Sequence, residues 1–299
     1  MRFGWLIFVI VWAPFAHADP DAAIAVRDDY GKLLRLAAPA QRIVSLAPHL
    51  TELLFAAGAG SQVVGASAYS DYPPAAKALP RVASAAGVDL EAVLALHPDL
   101  VVAWPQAATR RAIDRLEALG LPTYRSEPRT LEDVPRTIER FGTLTGRPSV
   151  AREAAQAFRA RASQLERGHA ARATVRVFYQ VWDRPIVTVN GAHLISRIIN
   201  LCGGTNVFAR LPLIAPEIDR EAVLVADPEV IIASGASGAR PAWLDAWNDF
   251  PQLRAVADGQ LYAMPPDLLQ RHTPRVLDGA ERLCLILDAA RAQRNARRP

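Results

Sequence analysis

An internal repeat constrains the fold more than any other feature of this 299-residue chain. When residues 88–103 (VDLEAVLALHPDLVVA) are aligned with residues 218–233 (IDREAVLVADPEVIIA), seven of the sixteen positions are identical. Each copy is typical of a short helix with an aspartate cap, a proline turn and an apolar strand. Residues 43–60 and 186–204 share a looser strand, helix and glycine pattern, in which residues 186–189 are the expected strand of the second copy. The sequence therefore predicts an α/β protein with two related lobes.

The segment between the two copies predicts one long helix from Ser149 to Ala171. Apolar residues recur along it at helical spacing, at Val150, Ala154, Phe158, Ala162 and Leu165. We expect Ser149 to cap its start and Gly168 to end it in the left-handed conformation. At about 1.5 Å per residue such a helix spans roughly 35 Å, the width of a small domain.

This helix predicts the domain organisation. We expect an N-terminal α/β lobe over residues 19–147, a connecting helix over 148–172 and a C-terminal α/β lobe over 173–299. The carboxyl ends of the strands in both lobes can face a shared groove, so a ligand cleft is expected between the lobes.

Residues 1–18 have the pattern of a secretory signal peptide. A basic residue at Arg2 precedes an apolar stretch that runs to Phe15, and Ala16-His17-Ala18 has the small residues of a cleavage site. We expect cleavage after Ala18 and export to the periplasm. No later stretch approaches the roughly 20 apolar residues of a membrane span, so a protein that is not embedded in a membrane is expected.

The charge pattern argues against nucleic-acid binding. Without residues 1–18, 33 Lys and Arg face 30 Asp and Glu, a net charge of +3. The arginines are spread among acidic residues rather than clustered. The sequence also lacks Gly-x-Ser-x-Gly, phosphate-loop, His-Glu-x-x-His and Cys-x-x-Cys motifs. A binding protein without bound cofactor, acting as a monomer, is the expected class.

The two cysteines, Cys202 and Cys284, allow two interpretations. In an oxidising compartment an even pair most simply forms one disulfide, and two buried free thiols are the alternative.

Several residues lie where ligands bind in α/β proteins, just after predicted strands. Tyr69 and Tyr72 follow one strand, Trp104 another and Trp182 a third, with packing against the core as the alternative for each. Asp267 and Arg271 follow residues 261–264 and are predicted either to bind a polar ligand edge or to pair with each other.

His49 lies in the turn between a predicted strand and helix, where it either contacts the ligand or faces solvent. It also lies three residues before Glu52, which leaves open a metal-dependent hydrolase that uses both residues. A single His/Glu pair is a weak metal site, so no metal ligand is predicted.

The chain resembles the periplasmic cobalamin-binding proteins that supply an ABC importer, one branch of the helix-linked (class III) substrate-binding proteins. The resemblance rests on RIVSLAPHLTELLFAAG, SAYSDYPP, DLEAVLALHPDLVVAW, LCGGTNVF, DREAVL and the late Arg271 and Cys284. It implies two rigid lobes that hold a corrinoid in a shallow cleft and pass it to membrane permease subunits. The same fold carries haem or iron siderophores in other branches, so these remain the alternative ligands.

The resemblance also implies roles for single residues. Tyr69, Trp104, Asp267 and Arg271 match ligand-contacting positions, His49 lies beside the matching turn, and Cys202 and Cys284 match a family disulfide. Glu91 and Glu221, one in each repeat, resemble the acids that dock each lobe on arginines of the permease; stabilisation of the helix dipole is the alternative for both. Ala85, Ala215 and Val187 stand where other members have aromatic residues, for which Trp182 is expected to substitute in part.

Overall fold

The N-terminal half forms a hairpin and a mostly parallel sheet with covering helices. The computed structural model describes residues 24–107, 109–235 and 240–296. Its first strands and helices are β1 (Ile24–Arg27), β2 (Leu33–Leu36), β3 (Ile43–Ser45), α1 (Pro48–Ala56), β4 (Val63–Ser67), β5 (Arg81–Ser84), β6 (Gly87–Val88), α2 (Leu90–Ala95), β7 (Leu100–Ala103), α3 (Arg110–Ala118), β8 (Thr123–Arg125) and α4 (Asp133–Leu144), with 3-10 helices over Gly60–Gln62 and Pro74–Ala78.

The C-terminal half begins with the long helix and builds a second, smaller sheet. Its elements are α5 (Pro148–His169), β9 (Val175–Gln180), β10 (Ile186–Val187), α6 (Leu194–Leu201), β11 (Gly204–Asn206), β12 (Glu217–Ile218), α7 (Arg220–Ala226), β13 (Val230–Ser234), α8 (Arg254–Ala257), β14 (Leu261–Met264), α9 (Pro266–Leu269) and α10 (Val276–Ala296), with 3-10 turns over Ala242–Asp249. The predicted repeat is confirmed, because α2 and β7 recur as α7 and β13.

The two sheets reverse their strand order in the same way. The first sheet has the order β6-β5-β4-β3-β7-β8, in which only β6 runs antiparallel, and the second has the parallel order β11-β9-β13-β14. In each sheet the chain winds outwards from two central strands, β3 and β7 or β9 and β13. A crevice opens at the carboxyl ends of such a central pair, and ligands bind there in open α/β sheets.

The equivalent of β3 differs from the one predicted. Residues 186–189 were expected to be that strand, but β10 pairs only with β12, outside the main sheet, and β9 takes the central position. The cause is that β9 (VRVFYQ) is buried at five of its six positions, with Arg176 the exception, as a central parallel strand requires.

The long helix is present with different ends. It begins at Pro148, a residue favoured in the first helical turn, so Arg147 and not Ser149 occupies the cap position. Gly168 remains inside the helix rather than ending it in the left-handed conformation. Both predicted end signals were therefore wrong, although the helix itself and its length were right.

The buried stripe of α5 begins one residue later than predicted. Ala151, Ala155 and Phe158 are buried, whereas Val150 is 49% exposed. The helix packs on α4 along one side and on α6 and α10 along another. Arg159 pairs with Glu132 and Glu139 beside and within α4, and Arg161 pairs with Asp278 and Glu281 of α10. These two arginines are two positions apart and so lie on opposite sides of α5, and they connect the helix to both lobes.

The hydrophobic core is continuous between the lobes. One cluster of buried residues contains Ile43 and Leu100 from the first sheet, Val177 and Ile232 from the second, and Phe158 from α5. Separate clusters lie on the other face of each sheet. The lobes are therefore joined by packing as well as by the helix.

The disulfide between Cys202 and Cys284 is present, with the two Cα atoms 4.8 Å apart. It connects the end of α6 to α10, and both cysteines are buried. The next residue, Gly203, has a φ of +71°, and a Cβ there would lie 2.8 Å from the Arg291 guanidinium. The disulfide interpretation is thus confirmed over that of free thiols.

Residues 1–18, predicted to be a signal peptide, lie outside the described residues. Within the described ranges, none of the helices is long and apolar enough to cross a membrane.

Candidate ligand cleft

His49 and Trp104 meet at the central crevice of the first sheet. His49 follows β3 at the start of α1, and Trp104 directly follows β7, so adjacent parallel strands deliver both side chains to one edge. Their ring centroids are 5.2 Å apart in an edge-to-face arrangement. Trp104 is half-buried, which leaves part of its ring available beside the crevice.

His49 is buried rather than solvated, with 7% of its surface exposed. Burial, together with the positive charges of His272 and Arg271, lowers its pKa to about 3. The imidazole is therefore neutral at physiological pH. The alternative of a solvated turn is wrong for this residue.

Tyr69 presents its ring to solvent from a strained backbone. It lies just after β4, its φ is 63°, and it is 74% exposed. Bulky residues rarely adopt this left-handed conformation, and such strain concentrates at functional sites. Hydrogen bonds between buried hydroxyl groups hold the loop in place: Ser70 Oγ lies 3.1 Å from Thr51 Oγ1 and 3.2 Å from Ser67 Oγ. Tyr69 does not cover the core.

Tyr72 has a structural contact instead. The guanidinium of Arg275 lies over its ring, 4.1 Å from the centroid. This is a cation–π contact between the loop after β4 and the segment before α10. Of the two tyrosines, Tyr72 thus packs against Arg275, whereas the ring of Tyr69 is exposed to solvent.

Trp182 lies at the carboxyl end of a central strand in the second sheet. It follows the central strand β9 and is 59% exposed. Its indole Nε1 donates to the carbonyl of Arg184 at 3.2 Å, and its backbone pairs with Val187. Core packing is therefore excluded for Trp182, and its ring surface faces solvent at the carboxyl end of the sheet.

Asp267 and Arg271 do pair with each other, at 3.1 Å between Oδ1 and Nη2. The pair is more than a surface salt bridge, because the Arg271 side chain is largely buried and also reaches the other lobe. Its Nη1 lies 3.1 Å from Asp71 Oδ1 and 3.4 Å from Glu52 Oε1. Hydrogen bonds and charge from Arg271 outweigh burial and lower the pKa of the Asp71 carboxyl.

Glu52 is held by a second arginine. Arg275 Nε donates to Oε2 at 2.9 Å and Arg275 Nη2 donates to Oε1 at 2.6 Å, a two-pronged contact that raises the pKa of Arg275. Both oxygens of Glu52 therefore accept from arginine. Sequence reasoning missed this contact because it joins residues 223 positions apart.

Two further histidines, His193 and His272, lie close to each other. His193 caps α6, accepting from the Ile195 N–H at 3.1 Å, and burial with the charge of His272 lowers its pKa to about 4. The rings of His193 and His272 are 6.0 Å apart, and His272 Nδ1 contacts the carbonyl of Pro128. Burial also lowers the pKa of His272. Over the described residues, no group of three or more His, Cys, Asp or Glu could hold a metal ion.

Two cavities lie beside the lobe interface, away from the aromatic crevice. One of about 450 Å³ is lined by residues of α5, including Phe158 and Arg159. Another of about 440 Å³ borders Glu52, Tyr72 and Arg275. Within the described part of the chain, none of the predicted ligand residues except Tyr72 is among those that line either cavity.

Glu91 and Glu221 are both exposed in the first turn of their helices. The caps are the neighbouring aspartates: Asp89 Oδ1 accepts from Ala92 N at 2.9 Å, and Asp219 Oδ1 accepts from Ala222 N at 2.7 Å. Within residues 24–107, 109–235 and 240–296, neither glutamate side chain has a hydrogen bond or an ion pair. Each lobe thus offers one free carboxylate at the same position of the repeat.

Residues 43–268 match the family model described as periplasmic binding protein. The chain belongs to the periplasmic binding protein family. A curated relative, the vitamin B12-binding protein of Vibrio cholerae serotype O1 (strain ATCC 39541), is 40% identical over 255 residues, which cover 85% of this chain and 92% of the relative.

Solved structures of periplasmic binding proteins agree with this assignment. The vitamin B12-binding protein BtuF of Vibrio cholerae has a TM-score of 0.77 and 39% identity over 85% of this chain and 98% of its own. The haem-binding protein BhuT, solved with two haems, has a TM-score of 0.75 at 23% identity, over 85% of this chain and 99% of its own. The second match shows the fold alone. The predicted family is thus confirmed.

Proposed function

We propose that this periplasmic binding protein captures cobalamin or a related corrinoid and delivers it to an ABC importer without chemistry of its own. The observation that carries the ligand class is the 40% identity to a vitamin B12-binding protein across 85% of the chain. Haem or an iron siderophore is the alternative ligand, supported by the fold shared with a haem-binding protein.

The proposed contacts are two aromatic surfaces and a polar edge. Tyr69 and Trp104 from the first lobe and Trp182 from the second would stack on the flat faces of a corrinoid. Asp267 and Arg271 would hydrogen-bond amide groups at its rim, and the neutral His49 would pack beside Trp104. The exposure of Tyr69 and Trp182 supports this proposal, since exposed aromatic residues near a cleft are common binding surfaces.

The proposed partner surface is the pair Glu91 and Glu221. Each would contact an arginine of one permease subunit, and rim charges of this kind set association rate and register more than affinity. We further propose the limits 19–147 and 173–299 for the lobes, 148–172 for the connecting helix, a signal peptide cleaved after Ala18, and a monomer in the periplasm.

Equilibrium binding tests the ligand. The purified protein, titrated with cyanocobalamin in a calorimeter and then desalted, is expected to retain the corrinoid absorption spectrum at one per chain. The same experiment with haem is the matched comparison. Retention of haem but not of cyanocobalamin would overturn the proposal in favour of the alternative ligand.

Charge reversal tests the docking surface. The double variant Glu91→Lys and Glu221→Lys is expected to abolish corrinoid uptake in cells that depend on this protein, with unchanged affinity for cyanocobalamin in solution. Glu166→Lys, an exposed glutamate of α5, is the matched control and should keep uptake normal. Normal uptake by the double variant would refute the docking role.

A further inference from the structure

We infer that Glu52 is the positioning residue that fixes the two lobes relative to each other. Its carboxylate, on α1 of the N-terminal lobe, binds Arg275 and Arg271 of the C-terminal lobe and thereby sets the cleft width and the orientation of Arg271. The inference rests on the proposed function only for its ligand measurement. We call Glu52, Asp71, Tyr72, Arg271 and Arg275 the interlobe clamp.

The clamp is a buried network of charged groups and not a chance ion pair on the surface. The Glu52 side chain is 2% exposed, and each of its oxygens accepts a hydrogen bond from Arg275. The far side of Arg275 is covered by the Tyr72 ring, and Arg271 adds a second contact to Asp71. A carboxylate so deeply buried is stable only with its full set of donors. Removal of either the Glu52 carboxylate or its arginine partners therefore leaves an unpaired buried charge.

The clamp also adds to the restraint that the connecting helix and the shared core already give. Apolar packing is non-directional, whereas the contact of one carboxylate with two guanidinium groups has a fixed geometry and therefore restrains twisting of one lobe against the other. The clamp provides this restraint through α1 and the loop after β4 on one side and residues 267–275 on the other. Because Arg271 is one of the proposed ligand contacts, the clamp orders a binding group before the ligand arrives.

Interlobe distances test the inference without any ligand. Spin labels attached at Leu119→Cys in the N-terminal lobe and Ala292→Cys in the C-terminal lobe occupy exposed positions. Electron–electron dipolar spectroscopy on the otherwise native chain is expected to give a narrow distance distribution. Glu52→Gln should broaden it clearly. An unchanged distribution in Glu52→Gln would overturn the inference.

Glu117→Gln is the matched control, because Glu117 also accepts from two cations but within one lobe. Its oxygens lie 2.9 Å from Arg125 and 2.8 Å from Lys32. This variant is expected to keep the narrow distribution. Broadening as large as that in Glu52→Gln would mean that general loosening, and not the clamp, is being measured, and would also overturn the inference.

Two more variants keep the test decisive if Glu52→Gln folds poorly. Arg275→Lys keeps the charge but loses the two-pronged contact, so an intermediate broadening is expected. Combining Glu52→Gln with Arg275→Met removes the charges of both partners in the two-pronged contact and leaves Arg271 paired with Asp71 and Asp267. This variant should recover thermal stability while the distribution stays broad. If Glu52 only stabilised the fold without fixing the lobes, this double variant would recover both its thermal stability and the narrow distance distribution.

The ligand measurement separates this inference from the proposed function. With cyanocobalamin as the probe, Glu52→Gln is expected to release ligand about tenfold faster than the wild type, while Glu117→Gln should match the wild type. If the wild type binds no cyanocobalamin, the proposed function fails while the spin-label result still decides the clamp. If it binds and Glu52→Gln releases it at the wild-type rate, the cleft-setting role fails.

Discussion

Removal of the disulfide between Cys202 and Cys284 is expected to cost a large part of the protein's stability. The two cysteines are 82 residues apart, so the crosslink closes most of the C-terminal half into one loop. In the chain-entropy model a loop of this length reduces the entropy of the unfolded chain enough to stabilise the fold by about 4.5 kcal/mol at 25 °C. We expect the loss to come from the larger conformational entropy of the unfolded chain without the crosslink. In the folded state, packing also holds α6 and α10 in place.

The assay is urea unfolding of the double variant Cys202→Ala and Cys284→Ala, followed by circular dichroism. We expect its free energy of unfolding to fall by about 4 to 5 kcal/mol, which is a large fraction of the roughly 5 to 15 kcal/mol of an ordinary domain. The reduced wild type is the matched control, because it lacks the crosslink but keeps both sulfur atoms in the core. Its loss should be similar.

The result that refutes this reasoning is a loss below about 1 kcal/mol, which would mean that the unfolded chain gains little freedom without the crosslink. A large loss in the double variant with none in the reduced wild type would assign the effect to packing of the sulfur atoms instead. Affinity for cyanocobalamin is expected to stay unchanged in the folded variant, because the disulfide lies at the opposite end of α6 from His193.

Three further outcomes are expected. Trp104→Ala should weaken cyanocobalamin binding in calorimetry by about 10- to 100-fold, the loss expected for one apolar ring surface, while Trp104→Phe keeps most of the affinity; equal affinity in all three proteins would contradict a stacking role. The folded-state pKa values of His49 and His193, about 3 and about 4, lie below the ordinary value, so the unfolded chain binds more protons as the pH falls below about 6.5. The free energy of unfolding should therefore fall from pH 6.5 towards 4 by about 1.4 kcal/mol per pH unit for each histidine and stay level above pH 7. Urea unfolding of His49→Asn should show a shallower fall. An equal slope in His49→Asn and the wild type would show that His49 does not contribute to this pH dependence. Asp219→Ala should lower the free energy of unfolding by about 1 kcal/mol through loss of the cap on α7, and an unchanged midpoint in urea would show that the cap is not needed.

The fold was largely predictable because its signals are local. The repeat at residues 88–103 and 218–233 and the apolar strands identified the two lobes, and glycine and proline marked most turns. The ends of α5 were not predictable in the same way. Ser149 is a good cap in isolation, but Pro148 is even better suited to the first turn, so the helix begins one residue earlier.

The cleft was only partly predictable. Tyr69, Trp104 and Trp182 follow strands, so strand order alone brings them to one edge of each sheet. The interlobe clamp gave no such signal, because Glu52 and Arg275 are 223 positions apart and each has an ordinary neighbourhood in the sequence. Sequence reasoning paired Glu52 with His49 on a helical face, whereas the folded chain turns the carboxylate towards two arginines of the other lobe.

The order of the elements also explains why each lobe offers one glutamate. β6 runs antiparallel to β5, so the chain turns back along β5 before α2 begins, and Asp89 N donates to the carbonyl of Val82, the second residue of β5. From there α2 leads to β7, and α7 leads to β13 in the second copy of the repeat. Each helix begins with an aspartate cap and carries an exposed glutamate in its first turn. Duplication of a single helix–strand unit is therefore enough to give each lobe one carboxylate for the proposed docking contact.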